Sequence, residues 1–145
     1  MVAAAIVDDL LAPRQLLAAR RTVPAELAGQ WEFPGGKVEP GEEPEVALHR
    51  ELAEELALTV TIDAEIGGPA GGWPLDAMTA DGEPLRMRVW LAEIKQGKPA
   101  PRDDHDQVRW LAPGSWHDVP WISADRPIVD AVLDEAQRRQ RALRC

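Results

Sequence analysis

Cysteine is nearly missing from this 145-residue chain: Cys145, at the last position, is the only one. Neither disulfides nor a thiolate metal site can therefore support the fold, and Cys145 is expected to be an exposed terminal thiol. Cations are also scarce, with 16 Lys and Arg against 25 Asp and Glu and a formal charge of −9. A nucleic-acid polymer is held largely by Lys and Arg on its phosphates, so the charge argues against that class of partner, whereas a small polyphosphate carried with its metal ion stays compatible. No apolar run approaches the roughly 18 residues needed to cross a membrane, and no basic segment precedes a signal-type apolar run at the N-terminus. A soluble, cytoplasmic protein without a membrane partner is expected. The chain has neither an internal repeat nor a low-complexity tail. Its 45% hydrophobic content suits one domain over residues 1–145 with a core of its own.

What is present centres on Gly35-Gly36-Lys37-Val38-Glu39-Pro40-Gly41-Glu42 and the segment that follows it, Arg50-Glu51-Leu52-Ala53-Glu54-Glu55-Leu56-Ala57-Leu58. A glycine turn opens the stretch, and a helix is expected from Glu43-Pro44 onward, proline being suited to a first turn where its missing N–H would have no partner. Leu48, Leu52 and Leu56 form one apolar stripe. At about 100° per residue, Glu51, Glu54 and Glu55 fall within an arc of roughly 100° beside it. Like charges at these spacings repel by a few tenths of a kcal/mol per pair, a cost that a divalent cation would reverse. Oxygen ligands clustered without Cys or His suit Mg²⁺ or Mn²⁺. The plainer alternative is a solvated acidic helix with Arg50 paired to Glu54.

Elsewhere, Val2–Val7 reads as a buried strand and Gln15–Arg21 as its hairpin partner. Pro24–Gln30 reads as a loop, and Leu58–Ile62 alternates as a strand. The Gly/Pro-rich segment from Gly67 to Pro84 reads as a long loop, set either to cover a substrate or to reach a second subunit. Arg86–Ile94 is the clearest later strand. Asp103 to Asp106 read as a polar stretch in which His105 is a loop residue rather than a ligand. After Asp125-Arg126-Pro127 an amphipathic helix is expected to bury Ile128, Val129, Val132, Leu133 and Ala136. Its late arginines, Arg138, Arg139, Arg141 and Arg144, face the helix dipole favourably.

Gly36, five residues, Glu42, seven residues, then Arg50-Glu51-Leu52-x-Glu54-Glu55-x-x-Leu58 resembles the signature of the Nudix hydrolases at every charged position. The departure is Ala57, where that family usually has glycine; alanine in a left-handed helix exit costs about 1 kcal/mol or forces a different ending. The wording Leu-Ala-Gly-x-Trp-Glu-Phe-Pro-Gly-Gly-Lys-Val is similar to the MutT-like branch, especially members acting on cytidine nucleotides. The resemblance implies an α/β fold, the Nudix α/β/α sandwich with a mixed central sheet. It implies Mg²⁺-dependent (or Mn²⁺-dependent) hydrolysis of a nucleoside triphosphate to the monophosphate and pyrophosphate.

The resemblance also assigns roles. Glu54 and Glu55 become metal ligands with the Gly35 carbonyl, and Glu51 a ligand or general base. Arg50 orients the glutamates, and Glu42 supports the box. Arg21, twelve residues before Phe33, takes the place of a substrate-contacting arginine, its alternative being an edge-strand charge. Asp104, six residues before Trp110, takes the place of a further metal ligand or proton acceptor, its alternative being a solvated acid. Trp31 and Phe33 fit either the core or a nucleotide pocket. Asp125 fits either a helix N-cap or a base reader, and a carboxylate, which only accepts, suits the exocyclic amino donor of cytosine or 5-methylcytosine. Two alternatives stay open: 8-oxo-dGTP clean-up, and a non-catalytic nucleotide sensor, although sensors generally lose the box glutamates that are all present here. A homodimer is compatible, with no stretch marking its interface.

Overall fold

The computed structural model describes residues 1–69, 72–102 and 104–144; Cys145 and Asp103 lie outside that set. In chain order the elements are β1 (Val2–Val7), β2 (Leu16–Arg21), β3 (Trp31–Glu32), β4 (Gly35–Gly36), α1 (Pro44–Leu56), β5 (Thr59–Ile66), β6 (Trp73–Met78), β7 (Pro84–Gln96) and β8 (His105–Leu111). A short 3₁₀ turn, Ser123–Asp125, then leads into α2 (Arg126–Leu143).

Strand β1 has six consecutive buried residues because the sheet is covered on both faces. Its alternate side chains go to opposite layers: Val2, Ala4 and Ile6 pack with Leu48, Leu52 and Leu56 of α1, while Ala3, Ala5 and Val7 pack with Ile128, Val129, Val132 and Ala136 of α2. Three alanines leave the volume that the leucines and valines of the helices fill. The central path runs β3-β2-β1-β7-β5, with β4 on β1, β6 on β7 and β8 on β2. Only β1 and β7 run parallel among these pairs; the rest are antiparallel, which makes the sheet mixed. The expected α/β/α sandwich is therefore present.

The β1–β2 hairpin forms as expected, its connection tightened by Asp8 Oδ1 accepting the N–H groups of Arg14 and Gln15, each at 2.9 Å. Helix α1 begins at Pro44 and keeps its leucine stripe fully buried. Its exit is where sequence and geometry conflict. Ala57 adopts the left-handed conformation at φ 56°, and the N–H groups of Ala57 and Leu58 close on the carbonyls of Ala53 and Leu52. The glycine-type ending is thus retained with alanine in it. The α2 stripe is buried as read, with Leu133 half-buried. Arg139 does more than face a dipole: it pairs with Glu135 and Asp63 and donates to Leu10 O, tying α2 to β5 and to the β1–β2 connection.

Two sequence readings are corrected. The segment from Gly67 to Pro84 is not all loop, because Trp73–Met78 forms a strand paired with β7, Trp73 lying opposite Met87. Half-buried Trp73 and Leu75 alternate with exposed Pro74 and Asp76, and this short period was obscured by the flanking Gly and Pro. An edge position also tolerates Pro74. His105, read as a loop residue, is the buried first residue of β8.

Candidate active site

Helix α1 sorts its glutamates by angle. At about 100° per residue, Glu55 lies roughly 20° from Leu48 at the edge of the buried stripe, Glu51 roughly 60° away and Glu54 roughly 120° away. Exposure follows: Glu55 Oε2 is buried, the Glu51 side chain is 14% exposed and that of Glu54 is 58% exposed. Arg50 gathers this face. Its Nε and Nη2 donate to both carboxylate oxygens of Glu42 at 2.9 Å, its Nη1 donates to Glu51 at 3.0 Å and to Glu54 at 3.4 Å, and Nη2 also donates to Lys37 O at 3.0 Å. The paired bonds from Arg50 hold the Glu42 carboxyl down at about 2 and raise the Arg50 pKa.

The glycine turn is fixed by close approach. A Cβ on Gly35 would overlap the Val2 carbonyl oxygen and stand 2.6 Å from Ala3 Cα, since β4 is paired to β1 there. A Cβ on Gly36 would collide with the Glu51 carboxylate. Glycine at 36 therefore makes the room in which Glu51 sits beside the turn.

The neighbouring wall comes from β2, β3 and β8. A bulge between Arg20 and Arg21 breaks the β2–β8 register, separating the two arginines. Arg20 pairs with Asp106 in solvent, through bonds of 2.7 and 2.8 Å, as an edge-strand charge. Arg21 lines the cavity, its Nε donating to Val23 O at 2.7 Å and its Nη1 to Glu32 Oε2 at 2.8 Å. The same Glu32 oxygen lies 2.8 Å from His105 Nε2. Burial opposes charge on His105, but the hydrogen bond to Glu32 together with the negative charges of Glu32 and Glu55 outweighs it and raises the imidazole pKa. Sequence reasoning missed both Glu32 and His105. The one hint, a glutamate between Trp31 and Phe33 in a stretch otherwise apolar or glycine, was absorbed into the resemblance.

The far wall is built by the Trp121 segment. Trp31 N donates to Pro120 O at 3.0 Å and Ile122 N to Trp31 O at 2.8 Å, so residues 120–122 run beside β3 and deliver Asp125 to Phe33. Trp31 is a core residue. Phe33 belongs to both settings: it is buried with its ring 5.0 Å from that of Trp121, and it lines the cavity. Asp125 precedes α2 but makes no capping hydrogen bond with its side chain. Instead its Oδ2 accepts the Phe33 N–H at 3.2 Å. Burial pushes its carboxyl up to about 7 despite that bond. From β6, Asp76 accepts the Ser123 hydroxyl at 2.8 Å and closes the rim.

These walls enclose a cavity of about 740 Å³. Arg21, Phe33, Gly35, Glu51, Asp104 and Asp125 all line it, together with Glu55. Among the expected site residues, Arg50 and Glu54 are not on its lining; Arg50 stands behind Glu51, and Glu54 points to solvent. Asp104 is exposed, its carbonyl oxygen taken by Thr22. Among the described residues no group of three or more His, Cys, Asp or Glu side chains stands close enough to hold a metal ion by itself. The donors nevertheless suit a hard cation. Glu55 Oε2 is buried without a partner. Burial, then the carboxylates of Glu32 and Glu51, lift the Glu55 carboxyl to about 7, although His105 opposes the rise. A divalent ion would offset that repulsion.

The family profile described as the NUDIX domain matches residues 1–132. The chain is 42% identical over 111 residues, 77% of its length and 74% of the relative's, to a Mycobacterium tuberculosis protein provisionally named 8-oxo-dGTP diphosphatase 2. It is 30% identical over 119 residues, 82% of each chain, to the CTP pyrophosphohydrolase of Escherichia coli. The crystal structure of the MutT NUDIX hydrolase from Burkholderia pseudomallei superposes with a TM-score of 0.70 at 30% identity, covering 90% of this chain and 95% of that one.

Proposed function

The chain belongs to the Nudix hydrolase family, and from that premise we propose that it hydrolyses a nucleoside triphosphate to the monophosphate and pyrophosphate, with cytidine nucleotides (CTP, dCTP or 5-methyl-dCTP) as its substrates. The observation that carries the base preference is Asp125. Its carboxyl is buried in the cavity wall, and the Phe33 N–H is the partner it holds there. An ionised carboxyl at that place accepts from the exocyclic amino group of cytosine, and the Phe33 ring beside it offers an apolar face to the base.

Elsewhere on the lining, Glu55 and the Gly35 carbonyl would hold Mg²⁺ or Mn²⁺, with Glu54 and Asp104 as further ligands once the metal and phosphates are present. A bound divalent ion supplies charge neutralisation on the phosphate oxygens. Glu51, braced by Arg50, takes the proton of the attacking water. Arg21 donates to a phosphate oxygen through N–H groups not committed to Val23 and Glu32.

A second reading, 8-oxo-dGTP diphosphatase, is favoured by the 42% identical relative bearing that name. Pyrophosphate release measured with Mg²⁺ on CTP, dCTP, 5-methyl-dCTP, 8-oxo-dGTP and dGTP separates the two. Cytidine turnover that is lost in Asp125→Ala supports the cytidine substrate. A preference for 8-oxo-dGTP overturns it, and absence of turnover on every nucleotide would instead mark a sensor.

A further inference from the structure

His105 is a buried polar side chain that makes one hydrogen bond. Its ring is 1% exposed, its Nε2 lies 2.8 Å from Glu32 Oε2, and its Nδ1 has no partner. A histidine placed to satisfy a core network would be bonded at both nitrogens; here everything the ring offers goes to Glu32. That carboxylate oxygen is shared. Arg21 Nη1 reaches it at 2.8 Å from the other side, while Arg21 Nε is held by Val23 O.

The strand order explains the convergence. Strand β2 lies between β3, which carries Glu32, and β8, which starts at His105, and the register places Arg21 directly opposite His105 at the bulge. A carboxylate bonded to Arg21 alone would share that side chain's freedom. With His105 as a second donor, anchored in the core, Glu32 becomes a fixed bracket, and the arginine is held at the cavity wall in one orientation.

We propose that His105 is a positioning residue: through Glu32 it fixes the Arg21 guanidinium so that the uncommitted N–H groups of that arginine meet the phosphates of the nucleotide. The inference rests on the cavity being a nucleotide site, and Arg21, not His105, is the group that touches substrate.

The test is a double-mutant cycle with a spectroscopic readout. His105→Leu removes the donor, His105→Gln keeps an amide N–H able to reach Glu32, and each is made with Arg21 and with Arg21→Ala. At saturating Mg²⁺ and pH 8, where Glu55 is ionised without help from His105, His105→Leu is expected to raise KM for the preferred nucleotide about tenfold with kcat within about twofold, a loss of binding to a preorganised cation. His105→Gln is expected to restore KM. In the Arg21→Ala background His105→Leu is expected to change nothing further. The Arg21 Nε–H resonance, seen in ¹H–¹⁵N spectra of the enzyme without nucleotide, should shift and exchange faster in His105→Leu but stay near its position in His105→Gln. Where His105→Leu does not fold, His105→Asn, whose amide is too short to reach Glu32, replaces it.

Equal KM effects in both Arg21 backgrounds, or an unmoved Arg21 Nε–H signal, overturn the proposal. If the wild-type chain turns over no nucleotide, the functional reading falls by itself, and the Arg21 resonance still decides whether His105 positions the guanidinium.

Discussion

Glu51 and Asp125 both line one cavity, and each permits a separate test. Glu51 lies against the Gly36 turn and is held by Arg50 at 3.0 Å. Glu51→Gln keeps the shape and removes the base, so kcat for pyrophosphate release is expected to fall by about 10²–10⁴-fold with the melting temperature unchanged; retained turnover would move the base to another carboxylate. Asp125 is a stability question as well. Its carboxyl is near 7 when folded, well above the ordinary aspartate value of about 4, so between those values the folded chain binds a proton that the unfolded chain does not. Stability therefore declines as pH rises through that window, by up to about 1.4 kcal/mol per pH unit for this one group. Asp125→Asn removes that contribution. Urea titrations at pH 5, 6 and 7 should show a shallower loss than wild type by about one proton, and parallel slopes would mean that Asp125 is not buried as a carboxyl. Glu51 and Asp125 were legible as candidates from the motifs that carry them, and both line the cavity. Glu32 and His105 were not, since their meeting depends on two strand registers and a bulge that no local pattern announces.

Among the elements, α1 was the most legible and its exit the most instructive. The leucine stripe and Pro44 set the helix, and the glutamates beside the stripe follow from the same angle. The same period turns Glu54 about 100° away from its neighbour Glu55, which leaves one exposed and the other buried. Ala57 was the one local conflict, and the structure keeps it: an alanine at φ 56° closes the helix where glycine would carry no Cβ strain. Ala57→Gly is accordingly expected to stabilise the protein by about 1 kcal/mol, read as a rise in urea midpoint at constant slope; no change would mean that the left-handed exit is not adopted. Strand β6 was illegible for the opposite reason. Its alternation spans few residues between Gly/Pro-rich flanks, and its pairing partner β7 reads as a strand without it, so only tertiary pairing reveals the hairpin that carries Asp76 to the rim.

The whole molecule was readable to the level of layers. The resemblance implied a sandwich with a mixed sheet, which the buried run of β1 fits, whereas the sheet order and the parallel pairing of β1 with β7 came only with the structure. The same view joins charge to function. A chain of formal charge −9 places Glu32, Glu51, Glu55, Asp104 and Asp125 around one cavity, where a bound cation would offset the repulsion that Glu32 and Glu51 exert on Glu55. Mg²⁺ that binds only the folded state adds RT ln(1 + [Mg²⁺]/Kd), about 2.7 kcal/mol at a hundredfold excess over Kd, which for a chain of this size is roughly 5–10 °C in Tm. The effect must depend on pH in a definite direction. Glu55, near 7 without metal, has to lose its proton to act as a ligand, so protons compete with Mg²⁺ below pH 7 and the Tm gain should be larger at pH 8 than at pH 6. Thermal unfolding at constant ionic strength, with NaCl replacing MgCl₂ in the control, separates site binding from screening. A gain reproduced by NaCl, or retained in Glu55→Gln, would assign the stabilisation to general charge screening and remove the metal from this cavity.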